Sequence, residues 1–375
     1  LQRLTACINT ILSTQKSGDL GNIWCHWTRG CREGRDVMVL PEGMVAMKRI
    51  SLIKKGAAIA ATALTALALT ACGNTSTQDA GSTGSSDATY KIGVLQLTEH
   101  TALDAANKGF VKALDDSGIN YTIDQQNAQN DQSACQTIAS KLVGDGDDLI
   151  FAIATPAAQA AANATKDIPI VGTAITDFAA SDLVADNDAP GGNLTGSSDL
   201  TPVAEQIEML HKVLPDAKKV GLLYASNESN SLIQIEMAEE ALDKLGIEHE
   251  RYSVSSTNEI QSVVESAVGK VDALYSPTDN TIAQGAAQVG QICKENKLPF
   301  IAGEEGMCMA GGVFTLSINY EDLGYRAGEM AVKILKGEAK PADMAIEHLS
   351  AEDLVVVKNQ EMADALGIDL SVLDE

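Results

Sequence analysis

Lys91-Ile-Gly-Val-Leu95 returns 128 residues later as Lys219-Val-Gly-Leu-Leu223. At the same offset Ala113-Leu-Asp-Asp-Ser-Gly-Ile119 returns as Ala241-Leu-Asp-Lys-Leu-Gly-Ile247. Asp147, Leu149 and Gln159 match Asp272, Leu274 and Gln284 at an offset of 125. Pro169 in Asp167-Ile-Pro-Ile-Val-Gly172 recurs as Pro299 in Lys297-Leu-Pro-Phe-Ile-Ala-Gly303. Matches that keep one order along the chain mark a duplicated unit.

The unit is α/β. Short β-rich runs at 91–96, 121–126, 149–153, 168–172, 220–224, 248–254, 272–276, 299–303 and 313–318 read as strands. Amphipathic stretches at 102–117, 132–143, 203–214, 231–245, 281–296 and 322–337 read as helices. Such alternation makes parallel sheets covered by helices on both faces. The expected architecture is two doubly wound, Rossmann-like lobes, 90–200 and 201–320, with 321–375 returning to complete the lobes and hinge. Sheets of this kind bind ligands beyond the carboxyl ends of their strands. Two of them facing each other form a cleft that closes by hinge motion.

Polar clusters stand at the strand exits of both halves. Thr98-Glu99-His100-Thr101 follows the first strand, and Ser226 to Ser231, with Glu228 and Asn230, holds the matching place. Thr155-Pro156 corresponds to Thr278-Asp279-Asn280, and Thr176-Asp177 to Glu304-Glu305. Ser198-Asp199 lies in a polar loop, 196–199, before the crossover. Thr155, Asp279 and Ser231 are also good helix N-caps, and capping is compatible with ligand contact because a helix N-terminus favours a carboxylate. Asp177, Asp199 and Asp279 suit an ammonium, while Thr155, Asn230 and Ser231 can donate to a carboxylate. Tyr224 and Tyr275 end strands and offer ring faces. No Lys or Arg occurs in these loops. The chemistry points to a zwitterionic amino acid with an apolar or aromatic side chain.

Catalytic signatures are missing: there is no G-x-S-x-G, P-loop or H-E-x-x-H. Gly144-Asp-Gly-Asp-Asp148 lacks the full calcium-loop pattern and reads as a turn. Cys25, His26 and Cys31 lack the second ligand pair of a zinc site. Cys135, Cys293 and Cys308 allow at most one disulfide, and because Cys135 and Cys293 fall on the inner part of predicted helices no structural disulfide is expected. No metal or organic cofactor is expected.

The run Ile153 to Gln159, then Ala174-Ile-Thr-Asp177, Gly191 to Asp199 and Asp279-Asn-Thr-Ile-Ala283, resembles the ABC-transporter substrate-binding family that includes tryptophan/tyrosine-type binding lipoproteins. The resemblance covers about 90–370 and implies the type I periplasmic-binding-protein fold. It implies capture of a small molecule without catalysis and delivery to a membrane permease driven by a cytoplasmic ATPase, with the receptor a monomer. The implied ligand is tryptophan, tyrosine or phenylalanine, held by Glu99, His100, Thr155, Pro156, Thr176, Asp177, Ser198, Asp199, Glu228, Asn230, Ser231, Asp279 and Asn280. Phe178 stands where the family often has Pro after the Thr-Asp pair, which would change a pocket wall.

The first part of the chain is a different object. Residues 1–72 hold nine Lys/Arg and four Asp/Glu, whereas 73–375 hold 18 and 47, a formal −29 against −24 for the whole chain. Lys48, Arg49, Lys54 and Lys55 precede an apolar run shorter than the ~20 residues of a bilayer span. That run ends in Leu69-Thr-Ala-Cys72-Gly73. This is a secretory signal, 47–72, closing on a lipobox in which Cys72 is acylated. Residues 73–89 contain no large apolar side chain and read as a flexible tether. The folded part is therefore expected outside the cytoplasm, lipid-anchored to the bacterial membrane. Translation is expected to begin at Met47 or Met44, which makes 1–46 an over-extended reading frame.

The acidic charge excludes a nucleic-acid partner and side-chain docking on anionic lipid. A regulator on the same bilobal core would carry a helix-turn-helix where the lipobox and tether stand. The remaining alternative is a receptor for a nucleoside or sugar that feeds a signalling partner.

Overall fold

The computed structural model describes residues 89–348 and 350–374. The proposed signal, Cys72 and all of the tether but Thr89 lie outside them. Eleven strands and eleven α-helices are described. Lobe 1 holds β1 (Thr89–Gln96), α1 (Thr101–Ser117), β2 (Asn120–Asn127), α2 (Gln132–Asp145), β3 (Leu149–Ile153), α3 (Thr155–Ala164), β4 (Ile170–Ile175) and β5 (Leu194–Ser198). Its sheet is parallel throughout, in the order β2-β1-β3-β4-β5. After α4 (Val203–Val213), lobe 2 repeats the pattern with β6 (Lys219–Ala225), α5 (Ser229–Leu245), β7 (Glu248–Val254), α6 (Ile260–Ala267) and β8 (Ala273–Ser276). It continues through α7 (Asn280–Gln284), α8 (Ala286–Asn296), β9 (Phe300–Ala302), α9 (Glu305–Gly311) and β10 (Phe314–Ile318). The order β7-β6-β8-β9 is again parallel.

The chain then recrosses. Helix α10 (Tyr320–Leu335) packs on α1 in the lobe 1 core through Leu323, Ala327 and Ala331. Glu347 bridges to Ser197 beside β5. Strand β11 (Leu354–Lys358) pairs antiparallel with β10, and α11 (Gln360–Leu366) buries Met362 and Ala363 in lobe 2.

The duplication has a physical basis. Gly118 and Gly246, 128 residues apart, are the left-handed C-caps (φ 69° and 71°) that end α1 and α5 before the next strand. β3, Leu-Ile-Phe-Ala-Ile, is buried along its whole length, as a central parallel strand covered on both faces must be. The second match shifts by one residue. Asp148 accepts from Lys91 N at 2.8 Å as Asp272 does from Lys219 N at 2.9 Å, so Asp148 and Asp272 correspond, at an offset of 124. Pro169 and Pro299 correspond: their carbonyls accept from Ile150 N and Leu274 N. One extra residue after β8 then restores the offset of 125 at the first helical residues, Thr155 and Asn280.

Two local expectations are corrected. The single helix 281–296 is broken at Gly285 into α7 and α8, where a Cβ would meet Ile260 at 2.3 Å. The supposed loop at 196–199 is mostly strand β5, fully buried. Its small polar residues carried no apolar alternation, yet they fit beneath α10. Ser197 Oγ hydrogen-bonds Thr173 Oγ1 and the Leu323 carbonyl, and Thr195 Oγ1 donates to the Met344 carbonyl. Cys135, Cys293 and Cys308 are buried free thiols. Among the described residues no helix is long and apolar enough to cross a membrane.

Candidate functional site

The lobes are closed on one another. Hydrogen bonds span the cleft from Asn130 Nδ2 to Thr281 Oγ1 (3.0 Å), from Gln234 Nε2 to Thr176 Oγ1 (3.1 Å), and from Gln284 Nε2 to Thr98 Oγ1 (3.2 Å). Between the lobes lies a small, tightly closed cavity. Lobe 1 contributes His100, Ala102, Leu103 and Ala174; lobe 2 contributes Asn230, Thr278, Asp279, Asn280, Ala283 and Glu304. Asp199 and Tyr320, at two of the crossovers, complete the wall. Among the described residues no Lys or Arg lines it.

Each wall group is placed by an element end. His100 is the N-cap of α1 but makes no side-chain cap, and no acceptor among the described residues takes the amides of Thr101, Ala102 and Leu103. That helix end offers donors and positive potential at the cavity. Glu304 caps α9, accepting from Gly306 N at 2.6 Å and Met307 N at 2.5 Å. Tyr320 opens α10 and donates its hydroxyl to Asp199 Oδ2 at 3.0 Å. Full burial pushes the Asp199 carboxyl up to about 6 and that of Glu304 up to about 7. Burial, with the Glu228 charge beside it, also raises Asp279.

Of the residues expected from sequence, His100, Asp199, Asn230, Asp279 and Asn280 line the cavity. Others stand behind them. Glu228 accepts from Asn280 Nδ2 (2.6 Å), Thr281 N (3.0 Å) and Thr281 Oγ1 (2.8 Å), which ties α5 to α7. Ser231 donates to Asp279 Oδ2 at 2.7 Å, and Ser198 to the Thr176 carbonyl at 2.7 Å. Thr176 meets Asp199 Oδ1 at 3.5 Å. Glu99, Thr155, Pro156 and Asp177 do not line the cavity. Glu99 is exposed, Pro156 faces a separate surface groove, and Asp177 Oδ1 is held by Ala180 N and Asn187 Nδ2 within its own turn.

Of the three expected N-caps, Asp279 is one, accepting from Ile282 N at 2.8 Å. Ala154 and Glu228 occupy the N-cap positions expected for Thr155 and Ser231, because each helix starts earlier than its nearest capping residue suggested. Neither expected ring face reaches the cavity. Tyr275 is fully buried with its hydroxyl on Gln206, and Tyr224 packs in the lobe 2 core. The lining ring is that of Tyr320. Phe178 turns into the lobe 1 core over Gly172, away from the cavity wall. Tyr320 and Glu304 were not among the expected ligand residues, though Glu304 stands at a strand exit in the duplicated pattern.

Two doubly wound lobes closed over a buried, acid-lined cavity define a small-molecule binding protein with type I periplasmic-binding architecture. The chain belongs to the family described as ABC transporter substrate binding protein, which it matches over residues 91–372, and it is therefore an ABC-transporter substrate-binding protein. It is 43% identical over 279 residues to a tyrosine-binding protein of Clostridioides difficile, covering 73% of this chain and 80% of the relative. Its structure is similar to that of an ABC domain from Streptococcus pneumoniae in complex with L-Trp. The TM-score is 0.74 at 41% identity, over 77% of this chain and 98% of the other. It is also similar to the ligand-free, open structure of a Clostridium difficile substrate-binding protein with adhesive properties. There the TM-score is 0.58 at 45% identity, over 75% of this chain and 95% of the other. This chain thus superposes better on the tryptophan complex than on the ligand-free, open structure.

Proposed function

We propose that this chain is the extracytoplasmic receptor of an amino-acid importer and that its ligand is an aromatic L-amino acid. The observation that carries this reading is the charge layout of the cavity. Buried Asp199 and Glu304 face it without a cationic side chain, beside the uncapped first turn of α1. An ammonium next to a carboxylate satisfies both features. The aromatic side chain is supported by the relatives that are named for tyrosine or bound to tryptophan.

A thermal-shift screen of amino acids, nucleosides and sugars tests it. Tyrosine or tryptophan should raise the melting temperature by mass action, and a response confined to sugars or nucleosides refutes the amino-acid reading. The acylated Cys72 and the tether would keep a monomeric receptor beside its permease. Replacing Cys72 by Ser should release the protein into the medium, and continued membrane association would remove the anchor.

A further inference from the structure

Two atoms of residues on the cavity wall are buried without a hydrogen-bond partner among the described residues: Asn230 Oδ1 and His100 Nδ1. Glu228 decides what they are. Its carboxylate accepts from Asn280 Nδ2 at 2.6 Å and Asn230 Nδ2 at 3.4 Å, and the Thr278 carbonyl accepts from Asn230 Nδ2 at 3.2 Å. Turning either amide over would set an oxygen against an acceptor. The bare atom of Asn230 is therefore its oxygen, and Asn280 turns its own oxygen towards His100. In that 3.2 Å bond His100 Nε2 must carry the hydrogen, so a neutral ring leaves Nδ1 as an acceptor. Burial lowers the His100 pKa and keeps the ring neutral at pH 7.

A bare buried acceptor is costly and favours a ligand that brings a donor to it. The ligand ammonium is drawn first to carboxylates, and Asp199 has acceptor capacity left beyond its bonds from Tyr320 and Thr176. An uncharged donor remains for the amide and the imidazole. We infer that Asn230 and His100, oriented by Glu228, read a hydrogen-bond donor on the ligand's ring, so that the site accepts an indole N–H or a phenol O–H and rejects phenylalanine. The inference rests on the aromatic amino-acid reading and narrows it. Because His100 belongs to lobe 1 and Asn230 to lobe 2, a ring donor shared between them also joins the lobes in the closed state.

Calorimetry on the full chain with L-Tyr, L-Phe, L-Trp and 3-benzothienyl-L-alanine, in which sulfur replaces the ring N–H, separates the outcomes. Phenylalanine should bind up to about 100-fold more weakly than tyrosine, and the sulfur analogue similarly against tryptophan, the cost of leaving the buried acceptors bare. In Asn230→Leu and His100→Phe these ratios should shrink to roughly tenfold or less, because no bare acceptor remains at the substituted position. A partly unfolded variant lowers both affinities and leaves their ratio unchanged, so the ratio reports the contact itself. Equal binding of tyrosine and phenylalanine by the native chain, or an unaltered ratio in both variants, overturns the inference. If none of the four ligands binds, the aromatic reading fails and this one falls with it.

Discussion

Gly324 on α10 lies so close to Ala106 on α1 that a Cβ at position 324 would come within 1.8 Å of the Ala106 carbonyl oxygen. The contact is reciprocal, since a Cβ on Gly109 would lie 1.9 Å from the Glu321 carbonyl oxygen. Both obstacles are backbone, which cannot rotate away. The first turns of these two helices carry Tyr320 and the free amides of α1, so their interlock sets the cavity wall. Gly324→Ala should destabilise the protein by about 1–3 kcal/mol through overpacking and weaken ligand binding as Tyr320 is displaced. Urea denaturation and calorimetry check this; a variant with native stability would mean that the helices can separate without loss.

The raised carboxyls predict opposite pH trends for folding and for binding. Asp199 and Glu304 titrate in the folded protein near 6 and 7, against ordinary values of 3.8 and 4.5. The folded state thus holds these protons more tightly than the unfolded state does. The stability they contribute is fully present below about pH 4 and is lost as pH rises through 6 to 7. An ammonium ligand needs the ionised forms, so its binding expels protons and its affinity rises over the same window. Scanning calorimetry of the ligand-free protein from pH 5 to 8 should show a falling melting temperature, and titration in buffers of different ionisation enthalpy should show proton release. Asp199→Asn should flatten the binding profile; affinity that falls with pH would contradict the ammonium seat.

The lobes were legible in sequence because duplication leaves the same strand, helix and left-handed glycine at one spacing, as at Gly118 and Gly246. Strand β5 was not, since Leu194-Thr-Gly-Ser-Ser198 is specified by its fit under α10, a contact more than 120 residues distant. The site divides in the same way. Loop position was enough to put His100, Asp199, Asn230, Asp279 and Asn280 at the cleft, because strand exits face the cleft in any such fold. Which polar groups are already spent on holding the loops could not be read locally. Asp177 and Glu228 have the same chemistry, but one closes a turn and the other orients the amides of the wall. Tyr320 comes from a crossover whose return to lobe 1 no local pattern announces.

Closure itself can be weakened without touching the cavity wall. Asn130 adopts φ 61°, a left-handed conformation that glycine accepts without strain, and its side chain donates across the cleft to Thr281 Oγ1. Asn130→Gly removes that bond and leaves each lobe intact. A loss of about 1 kcal/mol corresponds to roughly fivefold weaker binding, carried mostly by faster dissociation. Stopped-flow release of tyrosine or tryptophan should show it, while the melting temperature of the ligand-free protein stays close to native. An unchanged dissociation rate would show that this bond does not hold the closed state.

Tyr275 separates structural from ligand-facing aromatics. Its hydroxyl donates to Gln206 Oε1 at 2.6 Å, and Gln206 Nε2 in turn donates to the carbonyls of Gly303 (3.1 Å) and Leu316 (2.8 Å). The chain of bonds fastens α4 to the strand ends behind the cavity. Tyr275→Phe keeps the ring and leaves Gln206 Oε1 bare in the lobe 2 interior, at a cost of about 1–3 kcal/mol. Because the ring does not line the cavity, affinity should stay within about twofold of native while the denaturation midpoint falls. If affinity instead collapses while stability is retained, the Tyr275 hydroxyl serves the ligand after all, and the cleft extends deeper into lobe 2 than its closed form implies.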